Sequence, residues 1–245
     1  VIVNKYKNVL PNYSDKHKGF IPRMVDPGAE QHYKRIAGIP ARSKRRPTFL
    51  ENLKFMIDYQ FGYMYGRYFM WNFVGRQNDT QGHLDIENGN WISGIDLIDE
   101  IRLGSQQNLP EDIENNKGRN TYYFLPFILG LIGLLYQAKK DQKNLYTLAL
   151  FFAFTGFAII FYTNPKPFEP RERDYALVGS FYVFAIFIGI GALNIIQKIK
   201  ENWKSKFSNP IIISLLLLAV PFLMAFQNWD DHDRSSRYTA QSISK

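Results

Sequence analysis

Two dense clusters of charged residues lie beside long apolar segments and are the first candidates for chemistry. The cluster at residues 170–175 contains Arg171 and Arg173. The planar guanidinium groups of such arginines can each bind a phosphate through two parallel hydrogen bonds. The cluster at residues 230–234 contains three aspartates, one histidine and Arg234, which could join the phosphate-binding arginines. This combination suits a phosphorylated substrate and an acceptor group that must lose a proton.

The acidic cluster permits two kinds of chemistry. Asp230, Asp231 or Asp233 could act as a general base for an incoming hydroxyl group. Asp231 and His232 could instead ligate a divalent cation, although consecutive residues cannot all face one ion. His232 could equally be a surface histidine beside an aspartate, and charges at the end of a membrane span also serve as solvated anchors. These alternatives remain open for both charged clusters.

Aromatic residues next to amides and an arginine form a third candidate site in the first half of the chain. Arg76 and Asn78 follow Trp71 closely, and Trp91 follows a Gly-Asn pair. Aromatic rings can stack on sugar faces, while amide and guanidinium groups can bind sugar hydroxyls. Arg76, Asn78 and Trp91 are therefore candidates to line a sugar or acceptor site. An aromatic belt at the membrane surface would use the same residue types.

The elements that must position these clusters differ between the two halves of the chain. Residues 1–120 are polar, whereas residues 121–227 are mostly Leu, Ile, Phe, Ala and Gly. Four apolar runs without a charged residue lie at 122–137, 145–162, 176–196 and 210–226. Each approaches the ~20 residues that cross a hydrocarbon core, and each is apolar all round, which disfavours a soluble four-helix bundle. We therefore predict an all-α membrane protein with four transmembrane helices, of which the first is the shortest.

The polar half also contains one aromatic helix. Thr48 and Glu51 have the spacing of a capping box, so a helix is expected over residues 48–76. Its polar positions predict an interfacial or re-entrant helix, and an aromatic core helix of a soluble domain is the equal alternative. A long polar loop follows at 77–120, with a short helix expected near Ile95–Leu103.

The orientation is inferred from lysines in two turns. The turns at 138–143 and 198–209 carry nearly uncompensated lysines, which places them in the cytoplasm. The polar half 1–120, the loop 163–175 and a tail at 228–245 would then share the outer face. In the third run, Gly179, Gly189 and Gly191 would let a neighbouring helix approach closely.

Composition narrows the remaining classes. The net charge of +8 is scattered along the chain and accompanies membrane spans, which favours a lipid surface over nucleic acid. The absence of cysteine excludes disulfides and thiolate metal sites. Because the chain begins at Val1 and ends soon after a charged motif, we expect it to be an internal part of a longer protein.

Several motifs, in this order, resemble those of a family of bacterial multi-spanning membrane proteins. They lie at 68–78, 89–94, 116–120 with 123–126, 170–175, and 230–234 with 237–239. That family, formerly a domain of unknown function, is grouped with protein O-mannosyltransferase-like enzymes of the GT-C glycosyltransferase fold. The resemblance covers most of the chain from about residue 48 onward.

The resemblance implies a multi-pass enzyme of the bacterial cytoplasmic (inner) membrane. It would take a sugar from a polyprenyl-phosphate carrier and pass it to a protein hydroxyl on the outer face. Its partners would be the lipid bilayer, the lipid-linked sugar and the acceptor protein. Such enzymes carry a catalytic acidic residue in the first outer loop, and this part of the pattern is absent here, so that residue is expected upstream.

Two other functions are compatible with a polar half joined to apolar spans. A non-enzymatic membrane subunit or scaffold of an envelope or secretion complex is the alternative to the enzyme. A transporter or lipid flippase would place charges inside its spans, and the four predicted spans contain none.

Overall fold

The computed structural model describes residues 20–24, 26–168, 174–202, 209–232, 235 and 242. The described part is mostly helical, with one short two-stranded ribbon. The helices are α1 (Glu30–Ala37), α2 (49–73), α3 (Asp96–Leu103), α4 (Glu111–Glu114), α5 (Leu125–Lys140), α6 (Gln142–Thr163), α7 (Asp174–Asn202) and α8 (Pro210–His232). The strands are β1 (Gly75–Arg76) and β2 (Asn120–Thr121), which pair antiparallel, and a 3₁₀ turn at Pro27–Ala29 precedes α1.

The capping box predicted for the aromatic helix α2 is present. The Thr48 hydroxyl accepts from the Glu51 amide at 3.3 Å, and the Glu51 carboxylate accepts from the Thr48 amide at 2.8 Å. The helix is α-helical over Phe49–Phe55, π-helical over Met56–Arg67 and α-helical again over Tyr68–Phe73. Long π-helical stretches are rare, and π-turns are frequent at functional sites.

Helix α2 packs along its whole length. Its first half joins Phe55 and Tyr59 to Tyr33 of α1 in one buried cluster. Its second half joins Tyr65 and Tyr68 to residues of α6 and α7 in another. The helix therefore connects the polar half of the chain to the apolar helices.

Three described helices are long and apolar enough to cross a membrane, namely α6, α7 and α8. They correspond to the second, third and fourth predicted spans, and each extends a few residues beyond its apolar run. The first predicted span, 122–137, corresponds to α5, which begins only at Leu125 and has 16 residues. At 1.5 Å per residue it is about 24 Å long, less than the ~30 Å hydrocarbon core. The prediction of four spans is therefore supported for three of them.

Helix α5 nevertheless lies directly against α7. A Cβ atom on Gly133 would overlap the Phe187 carbonyl oxygen, and one on Gly191 would overlap the Leu129 carbonyl oxygen. A Cβ atom on Gly130 would overlap the Phe184 ring. Residues further along α5 therefore contact residues further along α7, so the two helices run parallel. Glycine permits this backbone contact because it has no side chain to hold the helices apart.

The glycines predicted to allow close approach in α7 behave differently. Gly191 contacts α5, and a Cβ on Gly179 would lie 2.7 Å from the Thr155 Cβ of α6. Gly189 has nothing within 4 Å of the position of its Cβ, so the prediction is wrong for this residue within the described part of the chain.

Candidate functional site

An ion pair joins the polar half to the last turn of α8. The Arg76 Nη1 atom donates to Asp231 Oδ2 at 3.1 Å, and the side chains are 17% and 20% exposed. Arg76 is held by β1, which pairs with β2 and forms a further bridge to Trp91. Its guanidinium carbon lies 5.1 Å from the centre of the Trp71 ring. The structure thus brings together three sequence-predicted residues, Arg76, Trp91 and Asp231.

Two buried donors in this cluster have no hydrogen-bond partner among the described residues. They are Nε of Arg76 and Nε1 of Trp71. Buried N–H groups are nearly always satisfied, so an unpaired pair of donors indicates a position where an acceptor oxygen would be favourable. The same cluster carries the Asp231 carboxylate, so it offers donors and an acceptor close together.

A network of amides secures the end of α8 on the ribbon. Gln227 accepts from the Thr121 amide at 2.6 Å, and the side chains of Asn228 and Asn120 meet at 3.1 Å. Asn228 Nδ2 also donates to the Tyr122 hydroxyl at 2.6 Å. Burial raises the pKa of Tyr122 above its usual value, and the Asp231 charge acts in the same direction, while this hydrogen bond and the Arg76 charge oppose the shift.

A cleft of about 700 Å³ lies between the π-helical part of α2, the loop before Trp91 and helix α6. Seven of its fifteen lining residues are aromatic, including Phe152 and Phe157 of the candidate spanning helix α6. Its polar wall includes Arg102, whose guanidinium carbon is 3.4 Å from the centre of the Trp91 ring. Burial lowers the pKa of Arg102 and the charge of Asp99 opposes this shift. One face of Trp91 is therefore covered by a cation, while the residue also lines the cleft.

Asn78 supports a loop. Its Oδ1 accepts from the amides of Thr80 at 3.2 Å and Gly89 at 2.9 Å, and its Nδ2 donates to the Glu87 carbonyl oxygen at 3.3 Å. These bonds hold the loop that leads to Trp91, so Asn78 acts on the site through this loop in the described structure.

The remaining predicted residues fall into two groups. Asp230 is exposed, and His232 lies with Nδ1 3.0 Å from the Asn228 carbonyl oxygen and 3.5 Å from Asp231 Oδ2. Arg171, Arg173, Asp233 and Arg234 lie outside the described residues. Among the described residues, no group of three His, Cys, Asp or Glu side chains could hold a metal ion. The proposed cation at Asp231 and His232 stays a prediction.

Two residues that secure the site, Gln227 and Asn228, were not predicted from the sequence. They precede the predicted residue Asp231 by four and three positions, which places them near the same face of a helix. Polar residues at this spacing directly after an apolar run signal that the helix continues beyond the membrane and presents a polar face. Arg102 was missed because nothing local distinguishes it from a solvated arginine on a short amphipathic helix.

Comparison with known proteins gives two partial matches. Residues 1–57 match a family of unknown function, DUF8416. A segment of 104 residues is 34% identical to Dolichyl-phosphooligosaccharide-protein glycotransferase 1 of Pyrococcus horikoshii. The alignment covers 41% of this chain and 11% of that protein. No solved structure matches the chain. The chain is thus a membrane protein with a distant, partial likeness to an oligosaccharide-transferring enzyme.

Proposed function

We propose that this chain is part of a bacterial inner-membrane glycosyltransferase of the GT-C type, similar to protein O-mannosyltransferases. It transfers a sugar from a polyprenyl-phosphate carrier to protein hydroxyl groups on the outer face. The observation that carries the proposal is the 34% identity, over 104 residues, to a protein named as a dolichyl-phosphooligosaccharide-protein glycotransferase. A polyprenyl carrier and a membrane-embedded enzyme are chemically matched, since the carrier's chain stays in the bilayer.

The Arg76–Asp231 cluster supports this function by its chemistry. The unpaired donors of Arg76 and Trp71 suit an oxygen-rich ligand such as a phosphate or a sugar. Because Asp231 Oδ2 accepts from Arg76, this carboxylate is better suited to orient an acceptor hydroxyl than to remove its proton alone. Asp230, one residue earlier and exposed, and Asp233 are the alternatives for that proton transfer.

The position of the aromatic cleft also supports the proposed function. Its walls combine side chains of a membrane-spanning helix with Trp91 and Arg102 at the polar end. Such a cleft suits a substrate that is apolar at one end and polar at the other. In this proposal Arg171, Arg173 and Arg234 bind the carrier phosphate, and Trp91 contacts the sugar or the acceptor.

The test measures protein glycosylation in cells that produce variants of the full-length protein. Arg171→Ala with Arg173→Ala should reduce the amount of modified glycopeptides about 10- to 100-fold, because hydrogen bonds to charged groups contribute about 1.5–3 kcal/mol each. Asp231→Asn should also reduce it. The matched controls are Arg42→Ala and Asp112→Asn, exposed residues outside the site, which should leave glycosylation unchanged.

Two outcomes would contradict the proposal. Normal expression with unchanged glycopeptides in the arginine variant would eliminate the phosphate role. Unchanged glycopeptides in cells lacking the protein, together with loss of an envelope or secretion complex, would favour the scaffold function instead.

A further inference from the structure

A second cavity, of about 450 Å³, lies between α5 and α7 at the ends where both helices finish. Lys139, Lys140 and Lys198 line it together with one acidic residue, Glu201. Its apolar wall includes Ile132 and Leu135, and Leu135 is 61% exposed. The cavity thus has a cationic end and an apolar end. It lies apart from the Arg76–Asp231 cluster, which is secured at the strand β2 that precedes α5.

The parallel packing of α5 and α7 builds this cavity. Glycine contacts between the helices place Gly133 beside Phe187 and Gly191, and further along Tyr136 donates to Gln197 Oε1 at 2.9 Å. The two lysine-bearing ends therefore lie together at one end of the helices. Lysines near helix C-termini are also favoured by the helix dipole, and this alone could account for their presence.

The helix dipole does not account for Asn194. This residue is 5% exposed and lines the cavity beside the lysines. An amide side chain in such a position can donate to a phosphate oxygen and accept from a headgroup hydroxyl. Around it, Lys140 donates to the Tyr136 hydroxyl at 2.6 Å, so the polar groups are already ordered.

We propose that this cavity binds the phosphate headgroup of an anionic membrane phospholipid. Three lysines against one glutamate give an excess of positive charge, which matches a phosphate. Basic pockets between membrane helices bind anionic headgroups, and the exposed Leu135 offers a surface to the acyl chains. A lipid fits this cavity better than an acidic protein segment does. The apolar wall of the cavity continues along α5, which packs against the candidate spanning helix α7, so acyl chains could follow it.

The experiment measures lipid binding by native mass spectrometry of the detergent-purified full-length protein. Phosphatidylglycerol should bind more tightly than zwitterionic phosphatidylcholine. Lys139→Ala with Lys140→Ala should weaken phosphatidylglycerol binding about tenfold or more, since each lysine near an anionic surface contributes appreciably. The matched control is Lys143→Ala with Lys200→Ala, which removes the same charge near the same end from residues outside the cavity, and should change binding less than twofold.

Two further variants and one competing ligand complete the test. Lys139→Arg with Lys140→Arg should retain binding, and Asn194→Ala should weaken it without altering charge. Inorganic phosphate at millimolar concentration should not displace the lipid, and displacement would overturn the lipid assignment in favour of a soluble phosphate. Equal losses in the cavity and control double variants would overturn the site. The lipid assignment would also be overturned if the Lys139→Ala with Lys140→Ala variant lost a co-purifying acidic protein while its lipid binding stayed unchanged. This test does not measure glycosylation, so a negative result for lipid binding would not contradict the proposed function.

Discussion

Arg76 and Asp231 are 155 positions apart, yet their contact is one of the polar links between the first half of the chain and the end of α8. Both side chains are mostly removed from water, so the pair is not an ordinary surface salt bridge. Removing either side chain would leave the other partly buried charge without a counterion. The pair therefore contributes to the position of α8 as well as to the chemistry of the site.

A double-mutant cycle should detect this coupling. Arg76→Met and Asp231→Asn should each lower the free energy of unfolding, and the double variant should be less destabilised than the sum by about 1 kcal/mol. Thermal unfolding in detergent measures the four proteins. Asp230→Asn is the control, since Asp230 is exposed and should change stability by less than about 0.5 kcal/mol. Additive effects would show that the two side chains do not interact in solution.

Glu51 gives a pH-dependent prediction at the start of α2. Hydrogen bonds from Arg45, at 2.8 and 2.5 Å, and from the Thr48 amide lower the pKa of Glu51 from 4.5 to about 2. Because the folded-state pKa is depressed, its stabilisation is complete above pH 4.5 and is lost as pH falls towards about 2.

Glu51→Gln should therefore lower stability by about 0.5–1 kcal/mol at pH 7, because glutamine keeps the capping-box spacing but loses the ion pair with Arg45 and the negative charge at the helix N-terminus. The difference from wild type should shrink to less than half at about pH 3, because the Glu51 carboxyl of the unfolded chain, with a pKa near 4.5, is mostly protonated there, while the folded-state pKa is about 2. Thermal unfolding at both pH values measures it, and Glu111→Gln, at an exposed position, is the control. A difference that stays constant with pH would contradict the stabilising role of the Glu51 charge.

At the scale of elements, the sequence predicted helices better than it predicted where they end. The apolar runs located α6, α7 and α8, because burial in lipid requires continuous apolar residues. The last turn of α8, which carries Asp231, was assigned to a tail because polar residues end the apolar pattern without ending the helix. The first span was expected to begin at Tyr122, but the Tyr122 amide donates to the Val74 carbonyl oxygen, and Pro126 lies in the first turn of the helix.

The candidate site was predictable only as separate parts. Arg76, Trp91 and Asp231 were each identified from residue type and neighbours. Their meeting depends on pairing between β1 and β2, two strands of two residues each, which no local pattern announces. The π-helical section of α2 was also unpredictable, since its aromatic sequence fits an α-helix equally well.

The contact between α5 and α7 depends on glycine. Gly133→Ala should destabilise the protein by about 1–3 kcal/mol, because the new methyl group would overlap the Phe187 carbonyl oxygen. Gly189→Ala is the matched control, because this glycine has open space around it and alanine favours the helix by up to about 1 kcal/mol. Thermal unfolding in detergent compares the two variants. Equal effects would show that close packing at Gly133 does not hold these helices together.

For the whole molecule, the membrane topology depends on whether α5 crosses the bilayer. This helix is short but runs parallel to the candidate spanning helix α7. Residues 130–136 of α5 lie beside residues 184–197 of α7, so we expect α5 to lie at the same depth of the bilayer as α7. A helix of about 24 Å can cross where the bilayer thins or flanking residues reach the interface. We therefore expect α5 to cross the membrane in the same direction as α7.

Single-cysteine labelling of the full-length protein tests this arrangement, and this chain adds no cysteine of its own. Asn116→Cys and Lys166→Cys should react with a membrane-impermeant maleimide on intact cells. Lys143→Cys and Lys200→Cys should react only after permeabilisation, because Lys143 follows the end of α5 and Lys200 lies in the last turn of the parallel helix α7. The reversed pattern would invert the orientation but keep α5 as a span. Labelling of Asn116→Cys and Lys143→Cys from the same side would show instead that α5 enters the bilayer without crossing it, and that α6 makes the first crossing of this chain.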